Sequence, residues 1–220
     1  MICCLMPRVL ILWLALSLGV WAQSPAARSV ILFGDSITAG GALPKEERAQ
    51  LWVTQVQQQA QGELVLINEG KGGRPTNSLP EFEAVLARHA KADALVIVLG
   101  MNDSRDITPP CVPKAVANVR AMIEKARAAY GAKLPVLIVG PSNINKAALG
   151  PTKPIANERE AKLRELGAAF EKLATETQCG FVSLFGAVPD AALLKDGVHP
   201  NGAGNAAIAK VLGPKLKELR

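Results

Sequence analysis

Ser36, in the stretch GDSITAG that follows the apolar run Val30 to Phe33, and His199, in DGVHP, are the residues with which this chain could attack a carbonyl carbon. A serine hydroxyl is a weak nucleophile near neutral pH and becomes effective when an imidazole within hydrogen-bond reach removes its proton. Asp196 precedes His199 by three residues in a Gly-containing turn. That spacing lets its carboxylate reach one ring nitrogen while the other faces a crevice, which fixes the tautomer and stabilises the imidazolium. Plainer roles exist: Ser36 could cap a helix, and Asp196 and Asn201 could cap turns. Capping needs no histidine opposite, however. The chain has two histidines, and His89, within FEAVLARHAKAD, reads as a structural residue on a surface helix. His199 is therefore the candidate base.

Acyl transfer also needs donors for the oxyanion that develops on the substrate carbonyl. Gly72 and Gly73, in NEGKGGRPT, offer unshielded backbone amides, or else a plain left-handed turn. Asn102, in GMND, offers a side-chain amide, or else an Asx-turn that Asp103 could make equally well. Asn102-Asp103-Ser104 also matches a glycosylation sequon, which a residue in a cleft would serve poorly. Other motifs fail. GDSIT lacks the second glycine of a G-x-S-x-G elbow, and there is no phosphate-binding G-x-x-x-x-G-K-[ST] loop. Gly202 to Ala207 fits G-x-G-x-x-A but follows no strand, and no metal-ligand cluster is present.

These loops need a scaffold that brings them to one rim. Strand-length apolar runs at Ser29 to Phe33, Leu64 to Asn68, Ala94 to Leu99, Val136 to Gly140 and Phe181 to Leu184 alternate with helical patterns. The helices are expected at Glu46 to Gln61, Leu79 to Lys91, Pro113 to Tyr130, Ala156 to Gln178 and Ala203 to Leu219, with Pro214 kinking the last or ending its regular part. Strands so apolar are expected to be buried on both faces, and strand–helix alternation implies right-handed crossovers. The predicted architecture is α/β, a five-stranded parallel sheet with helices on both sides, whose ligand crevice lies beyond the carboxyl ends of the strands. The four polar loops fall at those ends. The long connection Pro141 to Asn157, rich in Pro, Asn and Gly, reads either as a rim or lid or as a solvated loop.

The chain has 220 residues, 49% of them hydrophobic and 20% charged, enough for one domain with a proper core. Its start is different in kind. Arg8 precedes an apolar stretch from Val9 to Val20 that is too short to span a bilayer comfortably, and Val20-Trp21-Ala22 offers small residues at the positions a signal peptidase reads. Residues 1–22 are expected to be a signal peptide and 23–220 the mature domain, periplasmic or extracellular, with no stable membrane insertion once the leader is removed. Losing Arg8 lowers the formal charge from +6 to +5. This excess is consistent with solubility, and nucleic acid is not expected as a partner, since no basic run is interleaved with aromatics. Cys111 and Cys179 remain in the mature chain, and a bridge between them is left open by the sequence.

The four loops, GDSIT, NEGKGGRPT, GMND and DGVHP, match in order and identity those of the GDSL, or SGNH, hydrolase superfamily, which the mature chain resembles along nearly its whole length. The resemblance implies a three-layer, flavodoxin-like α/β/α fold and ester substrates, handled without metal or organic cofactor. It further implies that Ser36 is the nucleophile, Asp196 and His199 complete a triad, and Ser36, Gly73 and Asn102 form the oxyanion hole. Spacing from Asn68 in similar proteins favours Gly73 over Gly72. Met101 stands where a small residue is frequent, which bears on pocket shape. Arg74 is a candidate for binding an acidic substrate group, or a surface ion pair. The expected activity is hydrolysis of short-chain, preferably acetyl, esters of small or carbohydrate alcohols. That preference rests on the few aromatics (4%) and the lack of an evident long apolar groove. Lysophospholipase, thioesterase or arylesterase activity, O-acyl transfer, and a non-catalytic glycan-binding module are the alternatives.

Overall fold

A computed structural model describes residues 26–220. The expected leader, residues 1–22, lies outside them. Five parallel strands, β1 (Arg28–Gly34), β2 (Leu64–Asn68), β3 (Ala94–Val98), β4 (Val136–Gly140) and β5 (Gly180–Ser183), form one sheet in the order β2-β1-β3-β4-β5. This is the flavodoxin-like order, with its switch point between β1 and β3.

Alternation along the central strands sorts the core into two layers. Val30, Leu32, Val96, Val98, Leu137 and Val139 pack on one face, and Ile31, Phe33, Leu95, Ile97, Val136 and Ile138 on the other. The first layer is closed by α2 (Trp52–Gln59) and α6 (Gly202–Glu218), the second by α3 (Leu79–Arg88), α4 (Cys111–Tyr130) and α5 (Ala156–Thr177). A further helix, α1 (Ser36–Ala39), is one turn long and directly follows β1.

Three expectations are corrected. Burial on both faces holds for β3 and β4 throughout and for most of β1, whereas β2 and β5 form the sheet edges and are partly exposed, Val65 among them. The helix expected from Glu46 to Gln61 is a 3-10 segment, Lys45–Gln50, followed by α2. The break falls at Leu51, where the Trp52 N–H donates to Asn205 Oδ1 at 3.1 Å instead of continuing the earlier helix. Pro214 does not end α6, which runs on to Glu218. Burial of Leu212 and Leu216 outweighs the one backbone hydrogen bond that proline removes.

At the amino end of the sheet the Arg28 guanidinium donates to the carbonyls of Lys217 and Leu219. At the carboxyl end lie the loops that matter chemically. Cys111 and Cys179 are both free thiols.

Candidate active site

Asp35 links β1 to α1. Its N–H donates to Val98 O of the neighbouring strand, and its Oδ1 accepts from Ile37 N at 2.9 Å, capping the short helix. Ser36 is thus the first residue of α1, not its cap, and its amide is among those a helix start leaves without an internal partner. Gly40, at φ +69°, closes the turn with its N–H on Ser36 O. The Trp52 indole donates to Ile37 O, and Asn68 Nδ2 to Thr38 O, so the turn is held from both sides. Gly70 must be a glycine here: a Cβ would come within 2.3 Å of Ala39 N.

His199 arrives from the far end of the chain. Asp196 Oδ1 accepts from the N–H groups of Val198 and His199, both at 2.9 Å, while its Oδ2 lies 2.5 Å from His199 Nδ1. Gly197 permits this tight turn, with φ +70° and a backbone so close to Asn145 O that a Cβ would lie 2.5 Å from it. The other ring nitrogen, Nε2, is 2.9 Å from Ser36 Oγ. A carboxylate only accepts, so Nδ1 carries the proton and Nε2 is left to accept from the serine hydroxyl. Partial burial raises the Asp196 pKa, but the hydrogen bonds from the His199 ring, the His199 amide and the Val198 amide outweigh it and hold the carboxyl below its ordinary range. Asp35 behaves oppositely. Its complete burial pushes the carboxyl up to about 7, against the lowering effects of the Ile37 amide and of His199.

The second and third loops are stitched together beside this pair. Asn102 Nδ2 donates to Arg74 O at 3.1 Å, and Asp103 accepts from the amide and hydroxyl of Thr76. Gly73, at φ +74°, is exposed with open space around it, and its amide donates to no backbone carbonyl among the described residues. Arg74, expected to face substrate or solvent, is turned inward and only 7% exposed. Its guanidinium stacks on the Phe33 ring at 4.1 Å and bonds Gly34 O, Glu69 O and the Glu81 carboxylate. It ties the first loop to the second. Met101 is also buried, in the same apolar cluster as Leu149 and Val198. His89 pairs with the Glu69 carboxylate at 2.6 Å.

The connection Pro141 to Asn157 is packed rather than merely solvated. Ile144 and Leu149 are buried, and Asn145 N donates to Gly197 O. The segment forms one wall of a cavity of about 320 Å³ bordered by Asp196 and His199. Arg105 and Arg159 also line this cavity; neither stood out in the sequence, where Arg159 is one charged residue in the polar stretch ANERE. The space against Ser36 itself, between Ile37, Ala42, Leu43 and Pro200, is only about 10 Å³.

A parallel sheet of this order, carrying a hydroxyl, an imidazole and a carboxylate in hydrogen-bonded series at its strand ends, defines a three-layer α/β enzyme of the ester-hydrolase class. Residues 32–207 match the model of the GDSL-like lipase/acylhydrolase family, and the chain belongs to that family. It is 30% identical over 220 residues to the esterase TesA of Pseudomonas aeruginosa, covering 96% of this chain and 99% of that one. Among solved structures, it superposes on a TesA crystal structure with a TM-score of 0.69 at 24% identity, covering 88% of this chain and all of the other. A carbohydrate acetylesterase family member from Sinorhizobium meliloti gives 0.69 at 21% identity over 87% and 98% of the two chains. A putative arylesterase from Agrobacterium tumefaciens gives 0.68 at 25% identity over 88% and 100%.

Proposed function

We propose that this protein is an exported serine esterase that removes short acyl groups, acetyl foremost, from small or carbohydrate alcohols. The reading rests above all on the 2.9 Å approach of His199 Nε2 to Ser36 Oγ, with Asp196 on the opposite ring nitrogen. Ser36 Oγ attacks the ester carbonyl carbon as its proton passes to Nε2, and Asp196 stabilises the imidazolium without itself taking the proton. The tetrahedral oxyanion receives hydrogen bonds from the amides of Ser36 and Gly73 and from Asn102 Nδ2. Collapse breaks the carbon–oxygen bond to the alcohol, which leaves with the proton from His199. Water then attacks the acyl-serine as its proton passes to Nε2, and collapse breaks the bond to Oγ, which takes that proton back from His199 as the acid leaves.

Two features support a short acyl group. The space against Ser36, about 10 Å³, holds little more than one water-sized group. The relatives include a protein described as a carbohydrate acetylesterase family member. Export rests on the apolar stretch Val9 to Val20 and the small residues before Gln23. N-terminal sequencing of the secreted protein should begin at Gln23.

The enzymatic test is hydrolysis of 4-nitrophenyl esters from acetate to octanoate and longer, with Ser36→Ala as control. The expected result is a rate that falls with chain length and vanishes in the variant. A maximum at long chains would replace the short-acyl reading with a lipase or thioesterase one. A wild type inactive on every ester would remove the hydrolase reading.

A further inference from the structure

Arg159 is an unusual residue for its place. It lies in the first turn of α5 and is 1% exposed, yet no carboxylate pairs with it among the described residues. Its hydrogen bonds go to neutral atoms: Ser104 Oγ at 3.1 Å, Thr152 Oγ1 at 2.9 Å and, at the long distances of 3.5 and 3.6 Å, Met101 O and Sδ. A buried guanidinium is ordinarily matched by an anion, because its desolvation is costly. The cost is visible in its acidity: burial, then the nearby charge of Arg105, lower its pKa to about 10.

The second observation is where Arg159 stands. It lines the 320 Å³ cavity that His199 borders, and Arg105 and Lys195, both exposed and likewise without a carboxylate partner among the described residues, line the same cavity. Three cations therefore face one carboxylate, Asp196, whose oxygens are already engaged by His199 and Val198. Between them the walls are apolar, from Ala148, Leu149, Pro151 and Val198. Such a cavity suits a compact organic body bearing an anionic group, since a low-dielectric wall strengthens the attraction.

We infer that this cavity is a substrate subsite for an anionic group, a carboxylate or a group of like charge, carried on the alcohol half of the ester. The inference rests on the esterase reading above, which assigns the acyl half to the small space against Ser36. Arg105 and Lys195 draw the anion to the mouth, and Arg159 supplies the positive charge of the inner wall. The sequence had suggested Arg74 for an acidic substrate, but that guanidinium is committed to Gly34 O, Glu69 O and Glu81.

The test compares matched esters on the whole mature protein. On the alcohol side, 4-carboxyphenyl acetate is set against 4-carbamoylphenyl acetate; on the acyl side, mono-4-nitrophenyl adipate against 4-nitrophenyl hexanoate. The expected result is a kcat/KM preference of roughly tenfold or more for the anionic alcohol ester at low ionic strength, expressed mainly in KM. It should shrink in 0.5 M salt, the direction expected for exposed charges. Arg105→Ala and Lys195→Ala, both at exposed positions, should each reduce this ratio. They serve where Arg159→Met fails to fold. Calorimetric binding of 4-carboxyphenyl acetate to Ser36→Ala gives a readout without turnover, and Arg105→Ala in that background should weaken it. Equal rates on both alcohol esters, a ratio unchanged by Arg105→Ala, or a preference confined to the adipate ester would each overturn the inference. Loss of all activity on neutral acetates would overturn the esterase reading instead.

Discussion

His199 Nε2 lies 2.9 Å from Ser36 Oγ although 163 residues separate the two in the chain. The contact depends on two tight turns, each capped by an aspartate: Asp35 for the serine and Asp196 for the histidine.

Asp196→Asn keeps an oxygen for the Val198 and His199 amides but offers the ring an amide in place of a carboxylate. The imidazole then favours the tautomer that points a proton at Ser36. The turnover number should fall by roughly 10²- to 10⁴-fold with the fold intact. Single-turnover kinetics beside circular dichroism checks both halves of this statement.

Asn102→Ala removes the proposed oxyanion donor and the bond to Arg74 O. The expected loss is about 10²- to 10³-fold in kcat with KM nearly unchanged, because the donor matters most in the transition state. A loss confined to KM would instead make Asn102 a ground-state contact.

Arg74→Met should act through the scaffold. It leaves Glu69 O without its donor, at about 1–3 kcal/mol for an unsatisfied group, while Gly34 O keeps only the Lys71 amide. Urea unfolding should register that loss. The ratio of rates on anionic and neutral esters should not move, in contrast to Arg105→Ala.

Asp35 governs a pH dependence of stability. Folded, its carboxyl holds a proton up to about 7, against 3.8 for the ordinary group. The folded chain therefore binds more protons across that window, and this residue's contribution to stability falls as pH rises from about 4 to 7, then levels off. Asp35→Asn can still cap Ile37 but carries no such charge. The melting temperature of the variant relative to wild type should climb between pH 4 and 7 and stay constant above. A gap that is flat across that range would show that Asp35 is not shifted.

The parts of the molecule that depend on local pattern were legible in the sequence. Continuous apolar runs located β1, β3 and β4 to within a residue or two, and glycine-bearing turns marked the loops that meet at the carboxyl edge. What escaped depends on partners distant in the chain. Leu51 breaks a helical pattern because Asn205 captures the next amide, and Pro214 stays inside α6 because Leu216 is buried beyond it. Arg74 read as a surface or substrate-facing cation, since nothing in KGGRPT shows that Phe33 will offer its ring face. Arg159 was hidden for a related reason. Its neighbours in ANERE are those of a solvated helix, and only the return of the chain past Ser104 and Thr152 encloses it.

The clasp of Arg28 on Lys217 and Leu219 has a practical consequence. It holds the start of β1 beside the last turn of α6 at one pole of the sheet, whereas Ser36 and His199 occupy the other, about 20 Å away along a seven-residue strand. A fusion partner, an affinity handle or a solid support joined beyond α6 would thus hold the protein by its base, with the cleft directed outward to the medium.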